Sequence, residues 1–216
     1  MAFDHTLQVA SPNIGTCVHR LYLDALHANV SMVAHILNSC LKLEFLITTG
    51  PNLRRIRQSG HPLNPFPWHL ILLDAELLPP LDRQVWRNVT HLHLDNFNEE
   101  HYKVLQSLPQ LTHLGFLFFG DIAPRDLMPR ILRVLSWPSL VVLLLHAFDR
   151  NHKPAKLLIG ASWRALANIE DDRLLVGRGI CRNFYVGLID VEGTMWDDAK
   201  TRFKDWRLLV MDAEES

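Results

Sequence analysis

The stretch at residues 89–119, VTHLHLDNFNEEHYKVLQSLPQLTHLGFLFF, contains one apolar pattern twice. Apolar residues stand at relative positions 1, 4, 6 and 9, first as Val89, Leu92, Leu94 and Phe97 and again as Leu111, Leu114, Phe116 and Phe119. The alternating part of each run predicts a short strand, and the acidic amphipathic segment between the runs predicts a helix. Residues 89–119 therefore indicate a repeating unit of one strand and one helix.

The same pattern recurs along most of the chain. Its first position falls in turn on Val18, Leu43, Trp68, Val89, Leu111 and Leu140, and a weaker seventh match places Leu174 and Val176 in a last strand. In the third match the residues assigned to the core are Trp68, Ile71 and Leu73. A unit of about 20 to 29 residues cannot bury its apolar face alone, so neighbouring units must stack.

The spacing of the matches and their Leu-x-x-Leu-x-Leu core resemble a leucine-rich repeat. The fold class predicted from the repeats is α/β: a leucine-rich-repeat-like solenoid with one curved parallel sheet of six or seven short strands. Helices and irregular segments are expected on its convex side. The predicted organisation is a polar amino-terminal tail at residues 1–16, the solenoid at residues 17–150, and a carboxy-terminal repeat with a helical capping region at residues 151–216.

Helix signals between the strands are uneven. Asn29 can cap a helix that ends near Cys40, and Asn98, followed by two glutamates, can cap a later one. Asp126 can open a further helix that holds Pro129 in its first turn. Each of these signals predicts a helix that packs beside the neighbouring strands.

The third unit carries no helix signal. Residues 60–67 contain three prolines and are expected to be irregular. The basic cluster Arg54, Arg55 and Arg57 is interpreted as a solvated loop. The sequence therefore predicts an irregular connection in this part of the chain.

The two ends of the repeat region differ. Residues 154–167 are moderately helical, and residues 194–206 place Trp196, Phe203 and Trp206 on one side of a helix that would cover the last repeat. No capping element precedes the first strand, although solenoids normally need one. We therefore expect the repeat region to be part of a larger protein.

Composition and charge exclude several classes of function. The formal net charge of -1 gives no overall attraction to nucleic acid or to an anionic membrane. Cys17, Cys40 and Cys181 are odd in number and have no Cys-x-x-Cys spacing, so they indicate neither a disulfide framework nor a cysteine zinc site. No apolar run approaches the roughly 18 residues of a membrane span, and the start lacks the apolar core of a signal peptide. We expect an intracellular protein, cytoplasmic or nuclear, with no nucleic-acid or membrane partner.

Four short motifs carry a family resemblance. They are Val89-Thr90-His91-Leu92, Leu111-Thr112-His113-Leu114, Asp172-Arg173-Leu174-Leu175-Val176 and Met195-Trp196-Asp197-Asp198-Ala199. Loose repeats of the Thr-His-Leu kind, followed by an acidic Asp-x-Arg strand and a tryptophan-containing acidic helix, resemble the repeat region of the expanded fungal F-box-type proteins. The resemblance covers roughly residues 17–206.

This resemblance implies a non-catalytic protein–protein interaction module, a substrate-recognition domain like that of F-box ubiquitin-ligase receptors. The F-box itself, which binds the Skp-type adaptor, is not recognisable in residues 1–16. A Skp-type adaptor is therefore expected as a partner only if an F-box lies upstream. The alternative is a stand-alone scaffold with no ligase link.

Outward positions on the predicted strands suggest where a protein partner binds. The predicted partner-binding residues are Phe45, Ile47, Leu70, Leu72, Asp24, Asp74, Asp95, His91, His93 and His113. An apolar patch inside an acidic rim on the concave face would suit a partner with a hydrophobic anchor and a basic flank. The alternative interpretation is that a loop, such as residues 60–67, covers the patch.

The three predicted outward histidines raise a second alternative. His91, His93 and His113 could in principle hold zinc in a metal-dependent hydrolase. Repetition of Thr-His-Leu at a fixed position explains His91 and His113 without a ligand. The sequence has no Gly-x-Ser-x-Gly, Walker-type or dinucleotide motif. We therefore predict no enzyme, no catalytic residue, no metal and no cofactor.

Overall fold

The computed structural model describes residues 17–23, 29–74, 83–95, 99–119, 123–148, 161–178, 196 and 206–207. It divides into two compact units, residues 1–110 and residues 111–216, called here the first unit and the second unit. The division falls inside the range predicted as solenoid. The domain boundaries predicted from the sequence stay predictions.

The first unit alternates strands and helices. Its four strands are β1 (Arg20–Leu23), β2 (Phe45–Thr49), β3 (His69–Leu73) and β4 (His91–Leu94). Its helices are α1 (Val30–Ser39), α2 (Gly50–Gln58), α3 (Arg83–Trp86) and α4 (Glu99–Gln106). The four strands pair in sequence order, and every pair is parallel. A helix between each two successive strands is what parallel pairing requires.

The second unit repeats this arrangement. Its strands are β5 (His113–Phe119), β6 (Val142–Phe148) and β7 (Leu174–Arg178), and its helices are α5 (Pro124–Leu135) and α6 (Ala161–Ala167). Strand β6 pairs in parallel with β5 on one side and with β7 on the other. The predicted α/β class with parallel strands is confirmed, and all seven predicted strands are present. The curvature of a solenoid stays a prediction.

Helix α1 forms where its capping signal predicts. The Asn29 side chain accepts a hydrogen bond from the backbone N–H of Ser31 at 2.8 Å, which satisfies one donor of the first turn. Val33 and Ile36 are buried on the inner face, and the helix ends before Cys40. The predicted helix from Asn29 to Cys40 is confirmed.

Helix α2 was not predicted, and the loop expected around its arginines is wrong. Thr49 caps the helix by accepting a hydrogen bond from the N–H of Asn52 at 3.3 Å, and Pro51 stands in the first turn, where no N–H is needed. The side chains of Leu53 and Ile56, on one face of this helix, are buried. Arg54, Arg55 and Arg57 therefore extend from a helix, and the short helix α3 also contradicts the expectation of a third unit without a helix.

Helix α5 begins earlier than predicted. It starts at Pro124, so Pro129 lies inside the helix and not in its first turn. Pro129 has no N–H to donate to the carbonyl one turn back. The helix continues past Pro129 because Ile131 and Val134 on the same face are wholly buried.

Strand β3 corrects the predicted register by one residue. Leu70 pairs with Leu46 and with Leu92, and Ile71 pairs with Ile47 and with His93. The sequence had assigned Ile71 to the row of Leu46 and Leu92. A slip of one residue moves every side chain of a strand to the opposite face.

The described tryptophans of the carboxy-terminal region contact two strands of the second unit: Trp206 contacts β7, and the ring of Trp196 lies 5.5 Å from that of His113 in β5. Trp196 and Trp206 are buried, and the indole N–H of Trp206 donates to the carbonyl of Leu174 at 3.4 Å. Helix α6 falls inside the predicted range 154–167. Phe203 and most of the predicted helix at residues 194–206 lie outside the described residues. No described helix is long and apolar enough to cross a membrane.

Candidate partner-binding cleft

The prediction of an exposed apolar patch on the concave face is wrong. Phe45, Ile47, Leu70 and Leu72 are all buried. Because of the register correction, Leu70 and Leu72 also lie on the opposite face of the sheet from Phe45 and Ile47. These four side chains belong to the core of the first unit and offer no free surface to a partner.

The acidic rim of that patch is only partly described. Asp24 lies outside the described residues. Asp74 is exposed, and its backbone N–H donates to the carboxylate of Asp95, which is half-buried. Asp74 also has a positive φ of 51°. The Asp95 carboxylate therefore helps to hold the backbone at the end of β3 in a conformation that non-glycine residues rarely adopt.

The histidines of the Thr-His-Leu repeats have a shared local geometry. At the start of β4 the hydroxyl of the preceding Thr90 lies 2.8 Å from Nδ1 of His91, and at the start of β5 the hydroxyl of the preceding Thr112 lies 2.8 Å from Nδ1 of His113. The same short contact in both units gives the repeated dipeptide a structural role, because the hydroxyl orients the imidazole ring. His93 is wholly buried, so it is not the outward residue that the sequence predicted.

Metal-binding geometry was a specific alternative for these histidines. Among the residues that the structure describes, no group of three His, Cys, Asp or Glu side chains could hold a metal ion.

A row of rings crosses the first unit from β2 to β4. The rings of Phe45 and His69 meet edge to face at 4.5 Å, and those of His69 and His91 lie 5.8 Å apart. Trp68 closes the row, with its ring 5.1 Å from His91 and 5.6 Å from His69. These contacts hold the Trp68 side chain in place beside β3, although it is 36% exposed.

Trp68 also borders a cleft of about 560 Å³ in the first unit. The lining residues come from the end of α1 and the residues just after it, from the proline-rich segment, from β2, and from the residues just before β2, β3, β4 and β5. They are Leu37, Cys40, Leu41, Leu43, Leu46, Leu63, Asn64, Pro65, Phe66, Pro67, Trp68, Arg87, Asn88, Thr90 and Gln110. A concave site that combines apolar side chains with several polar groups is typical of a binding site.

The proline-rich segment forms one wall of the cleft because two sets of contacts hold it. The backbone N–H of Asn64 donates to the side chain of Asn38 at 2.8 Å, and the Asn38 side-chain amide donates to the carbonyl of Pro62 at 2.9 Å. Further along, the N–H of Phe66 donates to the carbonyl of Val85 at 2.7 Å. The segment therefore lies with the helices α1 and α3.

The rim of the cleft presents exposed apolar side chains. Among the described residues, four large apolar side chains are exposed: Leu41 at 70%, Leu132 at 52%, Val141 at 44% and Trp68 at 36%. Leu41 and Trp68 both border the cleft. Tryptophan is one of the residue types that contribute most to binding energy in protein interfaces.

The lining of the cleft includes the thiol of Cys40. Cys40 is buried in the wall, and burial raises the pKa of its thiol above the ordinary value. A protonated thiol is a poor nucleophile. Cys40 therefore contributes as a small apolar group.

One end of the cleft is polar. Arg87 is the one charged residue among the described lining residues, and its guanidinium donates to the side chain of Gln84 at 3.3 Å. Asn88 and Gln110 are exposed there and add side-chain amides. The cleft thus has an apolar side near Leu41 and a positively charged side near Arg87.

Sequence reasoning missed these residues. Leu41 follows directly after the predicted end of α1 and precedes the apolar run of β2. The repeat pattern gave Leu41 no position in the core, which was a signal that its side chain is exposed. Trp68 was assigned to the core by the same shift that misplaced β3. Arg87 had no signal in the sequence.

Comparison with known proteins adds no relationship to this geometry. No protein-family model, no curated protein and no solved structure matches the chain.

Proposed function

We propose that the chain is a non-catalytic protein–protein interaction module, a substrate-recognition domain like the repeat region of F-box ubiquitin-ligase receptors. Its partner binds at the cleft of the first unit. The observation that carries this proposal is the exposure of Trp68 and Leu41 on the rim of a concave site. Exposed apolar groups gathered at such a site mark an interaction surface.

The packing around Trp68 supports its role as an anchor for the partner. Its ring is fixed by the rings of His69 and His91, so little side-chain freedom remains to be lost on binding. Immobilising a flexible side chain at an interface costs about 0.5–1.5 kcal/mol, and a side chain that is already fixed avoids most of that cost. A partly exposed, preorganised indole is well suited to be a binding hot spot.

A site-specific photo-crosslinker tests the location of the partner. Placed at position 41, it should link the chain to a protein partner in cells of the source organism. The matched control places it at Leu132, which is similarly exposed but lies on α5 in the second unit. Equal crosslinking from both positions, or none from position 41, contradicts the proposal.

A link to a ubiquitin ligase is a separate part of the proposal. The resemblance to F-box-type repeat regions suggests that the module acts inside the cell, in a protein that binds a Skp-type adaptor through an F-box upstream of these repeats. The alternative function is a stand-alone scaffold. Co-purification of the full transcript's product with the adaptor supports the receptor, and its absence from a complex that still contains the crosslinked partner supports the scaffold.

A further inference from the structure

We infer that the cleft of the first unit binds a short extended peptide segment in which a large apolar side chain lies two or three residues from a carboxylate. This inference rests on the proposed function and names the chemistry of the partner. It reverses the basic flank predicted from the sequence, because the charged residue at the cleft is Arg87 and not an aspartate.

The order of the strands gives the cleft a direction. Leu41 precedes β2, Trp68 precedes β3, and Arg87 precedes β4. Neighbouring strands are about 4.8 Å apart, so the path from the Leu41 side to the Arg87 side crosses two strand spacings, on the order of 10 Å. An extended chain rises about 3.3 Å per residue and crosses that distance in about three residues.

The apolar side of the cleft can take one large side chain. Leu37, Leu46 and Phe66 line its interior, and Leu41 and Trp68 stand at its rim. An aromatic or leucine side chain placed there would be buried against aliphatic groups and the indole. Burial of such a side chain removes its apolar surface from water, which favours binding.

The charged side selects a carboxylate. Arg87 is exposed and carries a positively charged guanidinium. A guanidinium can hold a carboxylate with two parallel hydrogen bonds. The described lining residues of the cleft include no carboxylate that would compete for the positive charge of Arg87.

The edges of the cleft suit the backbone of an extended peptide. The exposed amides of Asn88 and Gln110 offer both donors and acceptors to a peptide backbone. Leu41 and Trp68 are exposed, so the cleft is open at its rim and a chain can enter and leave at both sides. A segment of a longer protein fits this shape better than a ligand that must be enclosed.

A displayed random-peptide library, with the purified chain as bait, tests the inference. The expected enriched peptides contain Phe, Trp or Leu two or three residues from Asp or Glu. An enriched peptide made synthetically should lose at least about tenfold in affinity with Trp68→Ala. Leu41→Ser, at a more exposed position, provides a second variant that will fold even if Trp68→Ala does not.

Charge variants test whether the carboxylate of the peptide binds on the Arg87 side of the cleft. Arg87→Glu should weaken the acidic peptide roughly five- to tenfold and favour the same peptide with Lys in place of its acidic residue. Arg87→Lys should weaken the acidic peptide less than Arg87→Glu does, because the ammonium keeps the positive charge but cannot form two parallel hydrogen bonds. Arg125→Glu in the second unit, where the arginine side chain is 87% exposed, is the matched control and should leave peptide binding unchanged.

Several outcomes would overturn the inference while leaving the proposed function intact. Enrichment of peptides without acidic residues, or equal binding by wild type and Arg87→Glu, would remove the charge selection. Failure of any library peptide to bind, while crosslinking from position 41 persists, would show that the partner docks as a folded surface. Loss of crosslinking at position 41 is the separate result that would overturn the proposed function.

Discussion

Arg173, the residue directly before β7, should stabilise the second unit. Its guanidinium donates to the carbonyl of Leu135 at 2.5 Å and more distantly, at 3.4 Å, to the carbonyls of Trp137 and Leu140. It also pairs with the carboxylate of Asp171, with Nη2 2.6 Å from Oδ2. One side chain thus joins the end of α5 and the start of β6 to the turn before β7.

The loss of unfolding free energy expected when Arg173 is replaced follows from these contacts. A hydrogen bond to a charged group contributes about 1.5–3 kcal/mol, and a cation at a helix carboxyl end adds about 0.3–1 kcal/mol. The side chains of Arg173 and Asp171 are 35% and 21% exposed, so screening by water limits the ion pair to less than about 1 kcal/mol. We expect Arg173→Met to lower the free energy of unfolding of the second unit by about 2–3 kcal/mol.

The measurement is urea unfolding followed by tryptophan fluorescence, together with amide hydrogen exchange in β6 and β7. Exchange in these strands should accelerate in Arg173→Met and stay unchanged in Arg125→Met, an exposed arginine of the same unit. A loss of less than about 0.5 kcal/mol in Arg173→Met, the range of ordinary surface substitutions, would refute the reasoning.

The pH dependence tests the same contact independently. The hydrogen bond from Arg173 lowers the pKa of the Asp171 carboxyl below its ordinary value, while burial opposes that shift. The carboxylate therefore stabilises the fold fully above its unfolded-state pKa of about 4. That stability is lost as the pH falls from about 4 through the lower folded pKa. The difference in stability between wild type and Asp171→Asn should shrink over this acidic range, and a constant difference would contradict the assignment.

Three further outcomes are expected. Leu70→Ala should lower the free energy of unfolding by about 2–5 kcal/mol and Trp68→Ala by much less; the reverse order would restore the register predicted from the sequence. Thr90→Val should destabilise by about 0.5–1.5 kcal/mol and shift the NMR signals of the adjacent imidazole, and unchanged signals would contradict the hydroxyl contact. A thiol reagent should label exposed Cys17 quickly, whereas buried Cys40, with its raised pKa, should react only at higher pH, as mass spectrometry can show.

Helices were predictable where local signals agreed. Asn29 combines a capping side chain with a clear apolar stripe, and the structure places α1 there. Gly50 and Pro51 suggested a turn, yet both fit the first turn of α2 because the Thr49 side chain caps it. Only Leu53 and Ile56 are large apolar side chains buried by this arginine-rich helix, so its hydrophobic pattern was too weak to outweigh the Gly-Pro signal.

The candidate site depended on information that the pattern does not contain. The repeat template sorts residues into inward and outward rows, and it treats every outward row as solvent. Phe45 and Ile47 are instead covered and buried, whereas Leu41 and Trp68 lie between elements and are exposed. Their surroundings depend on how the proline-rich segment and α3 pack, which involves residues distant in sequence.

The sequence by itself determined the α/β class, the seven strands and their parallel order within each unit, because a repeated strand and helix can bury apolar surface only by stacking. It also determined the register where apolar and polar residues alternate, as in His91–Leu94. In His69–Leu73 four consecutive leucine and isoleucine residues leave the period of two undefined. Only pairing with β2 and β4 decided which of these side chains face Leu46 and Leu92, because both faces of β3 are buried and hydrophobicity alone cannot distinguish them.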